Sequence, residues 1–167
     1  MKTILTIGYE GSTPEDFIAT LQSMQVDLLL DVRELAISRR KGFAKNALKA
    51  SLEAAGIQYQ HEKELGAPKQ IRHRLREDHN YNAYFAAFEC YITTQHAKLA
   101  ELAKNLPDTV ILLCYERDYK TCHRSVVAAK LGEIIDAKPR HVGVVKDANK
   151  PKSNYSMLHF SKSLSAA

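Results

Sequence analysis

The chain has 167 residues, 45% of them apolar, with 24 basic against 19 acidic side chains and a formal charge of +5. That length buries one substantial core and is short for two. No apolar run approaches the roughly 20 residues of a membrane span, and three cysteines, a small and odd number, argue against a secreted disulfide framework. The expectation is therefore a cytoplasmic protein with reduced thiols and no membrane attachment, its oligomeric state open.

"KTILTIG" reads as a first strand stopped by Gly8, and not as a signal peptide, because it lacks a long apolar segment. "STPEDFIATLQSM" predicts a helix. Ser12 or Thr13 can cap it, Pro14 suits its first turn, and Glu15 and Asp16 favour its positive end. "VDLLLDVR" is apolar almost throughout, as a strand buried on both faces should be. "FAKNALKASLEAAG" predicts a helix with Phe43, Ala47, Leu48 and Leu52 inward and Gly56 as its stop. "IQYQH" reads as a short strand, and the charged stretch over residues 61–80 as a loop with a short helix.

Residues 81–105 predict one long helix that carries Cys90 into the core and is ended by Pro107. "TVILLCYE" is the best central strand, and a helix opens at "CHRSVVAAKLGEIID". "RHVGVV" is a candidate last strand. From residue 147 onward there are five serines in 21 residues, so residues 1–146 are expected to form the domain and 147–167 a tail that Met157, Leu158 and Phe160 could dock. Strands alternating with helices imply parallel pairing and right-handed crossovers. The predicted fold class is a three-layer α/β domain, a mostly parallel sheet with helices on both faces.

In open sheets of this kind, ligands bind beyond the carboxyl ends of the strands. Three segments leave those ends: Gly8–Ser12, Asp31–Glu34 and Cys114–Glu116. The richest chemistry lies in "CYERDYKTCHR", residues 114–124. Cys122 sits near a helix start, where backbone N–H groups, His123 and Arg124 favour a thiolate. Cys114, at a strand end, is either core or a second reactive thiol. Glu116 shares its side-chain direction if the strand continues and could act as general base.

Zinc is not expected. The ligand types are right, but there is no CxxC pair, and adjacent Cys122 and His123 would diverge by about 100° on a helix. Arg33 at a strand mouth suits bidentate recognition of phosphate or carboxylate; the competing reading is an Asp31–Arg33 brace. Tyr9, Ser38 and Arg39 lie close enough in sequence to join the same edge, with Arg40 beside them. The GxGxxG pattern is absent, so no dinucleotide or other cofactor is expected. Arg39-Arg40-Lys41 and Lys69, Arg72, Arg74 and Arg76 form two basic clusters, compatible with an anionic small molecule or a nucleic acid as partner.

"TIGYEG", "LLLDVRELAISRRKGF", "LEAAGIQYQHEKELG" and "VILLCYERDYKTCHRSVVAAKL" occur in the order found in domain-of-unknown-function family 488, which the chain resembles from about Ile4 to Leu131. The most specific part is the C-x-E…CHR signature, carried as Cys114, Glu116, Cys122, His123 and Arg124. Ala36 stands where family members often have proline before the Ser-Arg pair. The resemblance implies a site and names no reaction. A more distant likeness joins "LLLDVRE" and the Cys-to-helix segment to rhodanese-type sulfurtransferases, although ten residues separate Cys114 from Arg124 and a second cysteine intervenes.

The expected protein is thus an enzyme, a thiol-dependent transferase or hydrolase for a phosphate- or nucleotide-bearing substrate. Cys114 or Cys122 is its nucleophile, Glu116 or His123 its acid/base, and Arg33 and Arg124 face one shared anion. The alternatives are a non-catalytic nucleic-acid-binding module and a thiol redox or sulfur-transfer protein.

Overall fold

The computed structural model describes residues 2–148. Five strands form one sheet: β1 (Thr3–Gly8), β2 (Leu28–Asp31), β3 (Gln58–His61), β4 (Thr109–Cys114) and β5 (Arg140–His141). Their order is β3-β2-β4-β1-β5, and every pairing is parallel. Six α-helices connect them: α1 (Pro14–Ser23), α2 (Lys45–Ala54), α3 (Lys69–Asp78), α4 (Tyr81–Thr94), α5 (His96–Asn105) and α6 (Arg124–Ile135). The fold class is as the sequence predicts. Among the described residues, no helix is long and apolar enough to cross a membrane.

Strand alternation divides the core in two. Ile4, Leu28, Leu30, Val110 and Leu112 pack against α4, α5 and α6, whereas Leu5, Ile7, Leu29, Ile111 and Leu113 pack against α1 and α2. The helices therefore cover both faces. The connection from β1 leaves toward the α1 face, and that from its neighbour β4 leaves toward the α6 face. The gap between such diverging connections is where open parallel sheets hold ligands. The register sets Gly8 opposite Cys114 and Asp31 opposite Leu113, so the three strand ends stand level.

Local rules explain several boundaries. Thr13 caps α1 by accepting from the Asp16 N–H at 3.1 Å, with Pro14 in the first turn. Asn80 does the same for α4 through the Ala83 N–H at 3.0 Å. The expected single helix over 81–105 is two helices broken at Gln95. Just before the break, the Thr93 and Thr94 hydroxyls donate to the Glu89 and Tyr91 carbonyls at 2.8 and 2.6 Å, competing with the helical ladder. Cys90, expected in the core, is exposed.

The charged stretch before α4 is more regular than predicted: a 3₁₀ turn at Lys63–Leu65 and then α3. The last strand is only two residues long, because the chain beyond Val142 turns to α1, where the Val145 N–H meets Thr20 Oγ1 at 3.0 Å. The serine-rich stretch after residue 148, with Met157, Leu158 and Phe160, lies outside the described residues.

Candidate functional site

A cavity of about 850 Å³ opens at the carboxyl edge of the sheet. Its floor is the end of β4 and the start of α6. Cys114 closes β4, and Glu116, two residues on, points the same way, so that Cys114 Sγ donates to Glu116 Oε2 at 3.0 Å. A 3₁₀ turn at Tyr119–Thr121 then reverses the chain, capped by the Asp118 carboxylate on the Lys120 N–H at 2.9 Å.

Cys122 is extended, with φ −128° and ψ 135°, and His123 is the residue before the first turn of α6. The two therefore do not diverge as helical neighbours would, which corrects the geometric objection raised from sequence. His123 Nδ1 lies 3.9 Å from Cys114 Sγ and 4.0 Å from Cys122 Sγ. The two sulfurs and a His123 ring nitrogen all fall within 4.8 Å of one another. His123 Nε2 is 2.7 Å from the Val32 carbonyl. A carbonyl only accepts, so Nε2 carries the proton, and in the neutral ring Nδ1 turns its lone pair to the sulfurs. The edge of Phe88 against the imidazole, at 5.2 Å, fixes its plane.

Burial and mutual charge set the protonation of this cluster. Burial alone pushes the Cys122 thiol up, but the hydrogen bond from Cys114 and the charges of His123 and Arg124 outweigh it and hold Cys122 well below an ordinary cysteine. Cys114 goes the other way. Its bond to Cys122, its burial and the charges of Cys122 and Glu116 push its thiol well up. Burial and the Cys122 charge also raise Glu116. For His123, burial favours the neutral ring, yet the charge of Cys122 and the bonds to Cys122 and Val32 prevail and raise it. The pair holds one proton more readily than none, and that proton sits on Cys114, against the Glu116 carboxylate.

The walls are basic and aromatic. Arg39, Arg40, Lys69, Arg72 and Arg76 line the cavity, with Glu34 and Glu116 as its acidic members. Arg72 is paired to Glu34, and Arg40 donates to the Ser12 carbonyl. Among the described residues, Arg39, Lys69 and Arg76 have no ion-pair partner. Leu35, Ile37, Tyr81 and Tyr115, exposed apolar side chains, complete the rim.

Arg33 is 6% exposed. Its Nε and one terminal nitrogen clamp Asp31 at 2.8 and 2.6 Å, and the other terminal nitrogen donates to the Tyr9 hydroxyl at 3.2 Å and the Phe43 carbonyl at 2.9 Å. The bonds to Asp31 outweigh burial and raise its pKa further, so the guanidinium keeps its charge. It borders the cavity with one N–H uncommitted. Tyr9 stacks on Phe43 at 4.4 Å and donates to Ser38 Oγ at 3.2 Å, bringing Tyr9, Arg33 and Ser38 to the same wall.

Arg124 does not face this cavity. It is 1% exposed and turns to the α6 face of the sheet, where it donates to Thr6 Oγ1 at 3.3 Å and to the Glu116 and Arg117 carbonyls. The expectation that Arg33 and Arg124 converge on one anion is corrected. Asp31, Tyr9 and Phe43 hold Arg33 on the α1–α2 side, whereas α6 begins at Arg124 and folds its side chain back onto β1. Arg124 instead supports the loop that presents Glu116. Cys114, Glu116 and His123 line the cavity; Cys122 lies behind them.

The basic cluster Lys69, Arg72, Arg74 and Arg76, expected from sequence to meet an anionic partner, lies on α3. Lys69, Arg72, His73 and Arg76 follow the i, i+3, i+4, i+7 spacing of one helix face, and that face looks over the strand ends. The spacing was a readable signal. Tyr81 and Tyr84 reach the site only through packing, whereas Tyr115 lies between Cys114 and Glu116.

The family model described as "Domain of unknown function DUF488" matches residues 13–131, well over half of the chain, and the protein belongs to that family. No curated protein and no solved structure matches it.

Proposed function

From this family membership and the cavity as premises, we propose that the protein is a thiol-dependent transferase or hydrolase acting on a phosphate- or nucleotide-bearing substrate. One observation carries the reading: Cys114, Glu116 and His123 form the floor of the same cavity whose walls hold the cations Arg39, Lys69 and Arg76, unpaired among the described residues. In it, those cations bind the phosphate, with the remaining Arg33 N–H and the Tyr9 and Ser38 hydroxyls at the adjoining wall. Tyr81 and Tyr115, at the rim, supply flat apolar surface for an organic group such as a base.

Cys114 is the thiol that meets the substrate, and Glu116, its hydrogen-bond acceptor, takes the proton as the sulfur is engaged. Asp31 and Arg124 act through others, holding Arg33 and the Glu116 loop. A sulfur carrier is the next substrate class in line.

The test is binding and turnover of a panel of nucleoside phosphates and inorganic phosphate. Arg39→Ala and Arg76→Ala should each weaken binding several-fold. Cys114→Ser should keep the affinity and lose the turnover. Turnover surviving in Cys114→Ser would end the thiol-dependent reading.

A second reading follows from Arg39, Arg40, Arg72 and Arg76 sharing one mouth beside exposed tyrosines, the residue mix of a nucleic-acid groove. It is a binding module without turnover. Gel-shift affinity for single-stranded oligonucleotides that falls steeply with salt, with no product from any nucleotide, selects it.

A further inference from the structure

Cys114, Cys122 and His123 are more than three neighbours in a buried floor. Two sulfurs and His123 Nδ1 lie within 4.8 Å of one another, and in the neutral ring the one proton is committed from Nε2 to the Val32 carbonyl at 2.7 Å, which leaves Nδ1 its lone pair. An imidazole whose far nitrogen is held by a carbonyl is the outer-shell arrangement of metal-binding histidines. The spacing also fits. A tetrahedral ion with bonds of about 2.3 Å to sulfur and about 2.0 Å to nitrogen separates those ligand atoms by roughly 3.5 Å. The observed separations are 3.9 and 4.0 Å, within a few tenths of an ångström of that edge.

The geometry points to a binding site for a zinc-like divalent cation at Cys114 Sγ, Cys122 Sγ and His123 Nδ1, with its fourth position open to the basic cavity. The donors select the ion. Two thiolates and an imidazole suit borderline-soft zinc and exclude magnesium and calcium, which take oxygen. Two thiolates cancel the ion's two charges, so the filled site is neutral in a place where an isolated charge would be costly. On binding, the Cys114 proton and any proton on His123 Nδ1 leave to solvent, waters leave the ion's shell, and two S–metal bonds and one N–metal bond form, with no change of oxidation state.

The fourth position faces the cavity because Cys114, Glu116 and His123 line it and Cys122 does not. Three protein ligands and an open position are the pattern of a catalytic rather than a structural zinc. Glu116, beside Cys114, stands where it can accept a hydrogen bond from a water on the ion. The inference concerns the same cluster as the proposed function but needs no substrate to test. With the ion in place, both cysteines are required as ligands, and the proposed thiol dependence becomes a metal dependence.

The test is a titration of the full chain, stripped with a chelator and kept reduced by a phosphine, first with Co²⁺ and then with Zn²⁺. One Co²⁺ per chain with intense thiolate-to-cobalt charge transfer and the strong visible bands of a tetrahedral ion, displaced by Zn²⁺, is the expected result. Cys114→Ser, Cys122→Ser and His123→Gln should each lower the affinity by more than the 10–100-fold typical of losing an outer-shell partner. Glu116→Gln should retain the charge-transfer band.

Should those variants fail to fold, the native chain supplies its own control. Zn²⁺ should slow alkylation of Cys114 and Cys122 and leave the exposed Cys90 unprotected. Absence of the charge-transfer band, or equal alkylation of Cys114 and Cys122 with and without Zn²⁺, overturns the site. A Glu116→Gln loss as large as that of a cysteine variant overturns the open fourth position. Metal binding with no effect on nucleotide affinity or turnover would leave the site standing and the proposed function without it.

Discussion

The Asp31–Arg33 pair offers the sharpest test of how this edge is built. Asp31 is fully buried and accepts Arg33 Nε at 2.8 Å, a terminal Arg33 nitrogen at 2.6 Å, the Arg33 backbone N–H at 3.2 Å and the Tyr59 hydroxyl at 2.7 Å. Asp31→Ala removes all four and leaves a buried guanidinium without its counter-charge. Breaking one side of a buried ion pair costs about 3–5 kcal/mol. For a chain of this size, at about 2–4 °C per kcal/mol, that lowers the melting temperature by roughly 6–20 °C. It is also a large share of the roughly 5–15 kcal/mol that holds a domain together.

The assay is urea unfolding followed by circular dichroism, with Arg33→Met and the Asp31→Leu/Arg33→Met double variant beside it. Each single variant strands one charge, whereas the double variant strands neither. Its loss should therefore fall well below the sum of the two, limited to the unmet Tyr59 hydroxyl, the backbone N–H at position 33 and the Phe43 carbonyl at about 1–3 kcal/mol each. An Asp31→Ala protein within about 0.5 kcal/mol of the parent, the range of a neutral surface change, would refute the brace and return Arg33 to ligand binding alone.

Gly8→Ala should damage both fold and site, because a Cβ at Gly8 would stand 1.8 Å from the Glu116 carbonyl oxygen. Overpacking of about 1–3 kcal/mol or more is expected, read by unfolding midpoint, and a native-like midpoint would contradict the close approach of β1 to the Glu116 loop. Phe88→Ala opens the core beneath His123 and should cost about 3–5 kcal/mol; calorimetry checks it, and a loss under about 1 kcal/mol would mean the ring is not packed as described.

His141 should give stability a pH dependence. Burial and the Arg124 charge hold its pKa below the ordinary value of 6.5, so folding favours the neutral ring. That stabilisation is complete above about pH 6.5 and is lost as pH falls below it through the folded value. Unfolding free energy measured between about pH 7 and 5 should fall less steeply in His141→Asn than in the parent. Equal slopes would remove His141 from the account.

The elements of this fold are largely written in short windows of sequence. Thr13 and Pro14 start α1, "LLLD" and "VILLC" are apolar enough to lie inside a parallel sheet, and the alternation of such strands with helices specifies crossovers that bring three strand ends to one edge. From that alone Cys114, Glu116, Tyr9 and Arg33 could be placed near one another. Each of these inferences depends on neighbours within a few residues or on chirality common to all L-chains.

What the tertiary structure decided lies between segments distant in sequence. The direction of Arg124, away from Arg33, follows from where α6 starts relative to Thr6 and the Glu116 carbonyl. The exposure of Cys90 depends on how α4 meets the rest of the fold. The rotation of α3 that puts Lys69, Arg72 and Arg76 over the cavity is set by packing of Ile71 and Leu75 on the core. Most of all, Cys122 is extended and not helical. A turn from Asp118 to Thr121 fixes that single backbone conformation, and it determines whether two adjacent residues diverge or share a point with Cys114. A local pattern names the residues of such a site, but the angles at which they meet are set by contacts across the sheet.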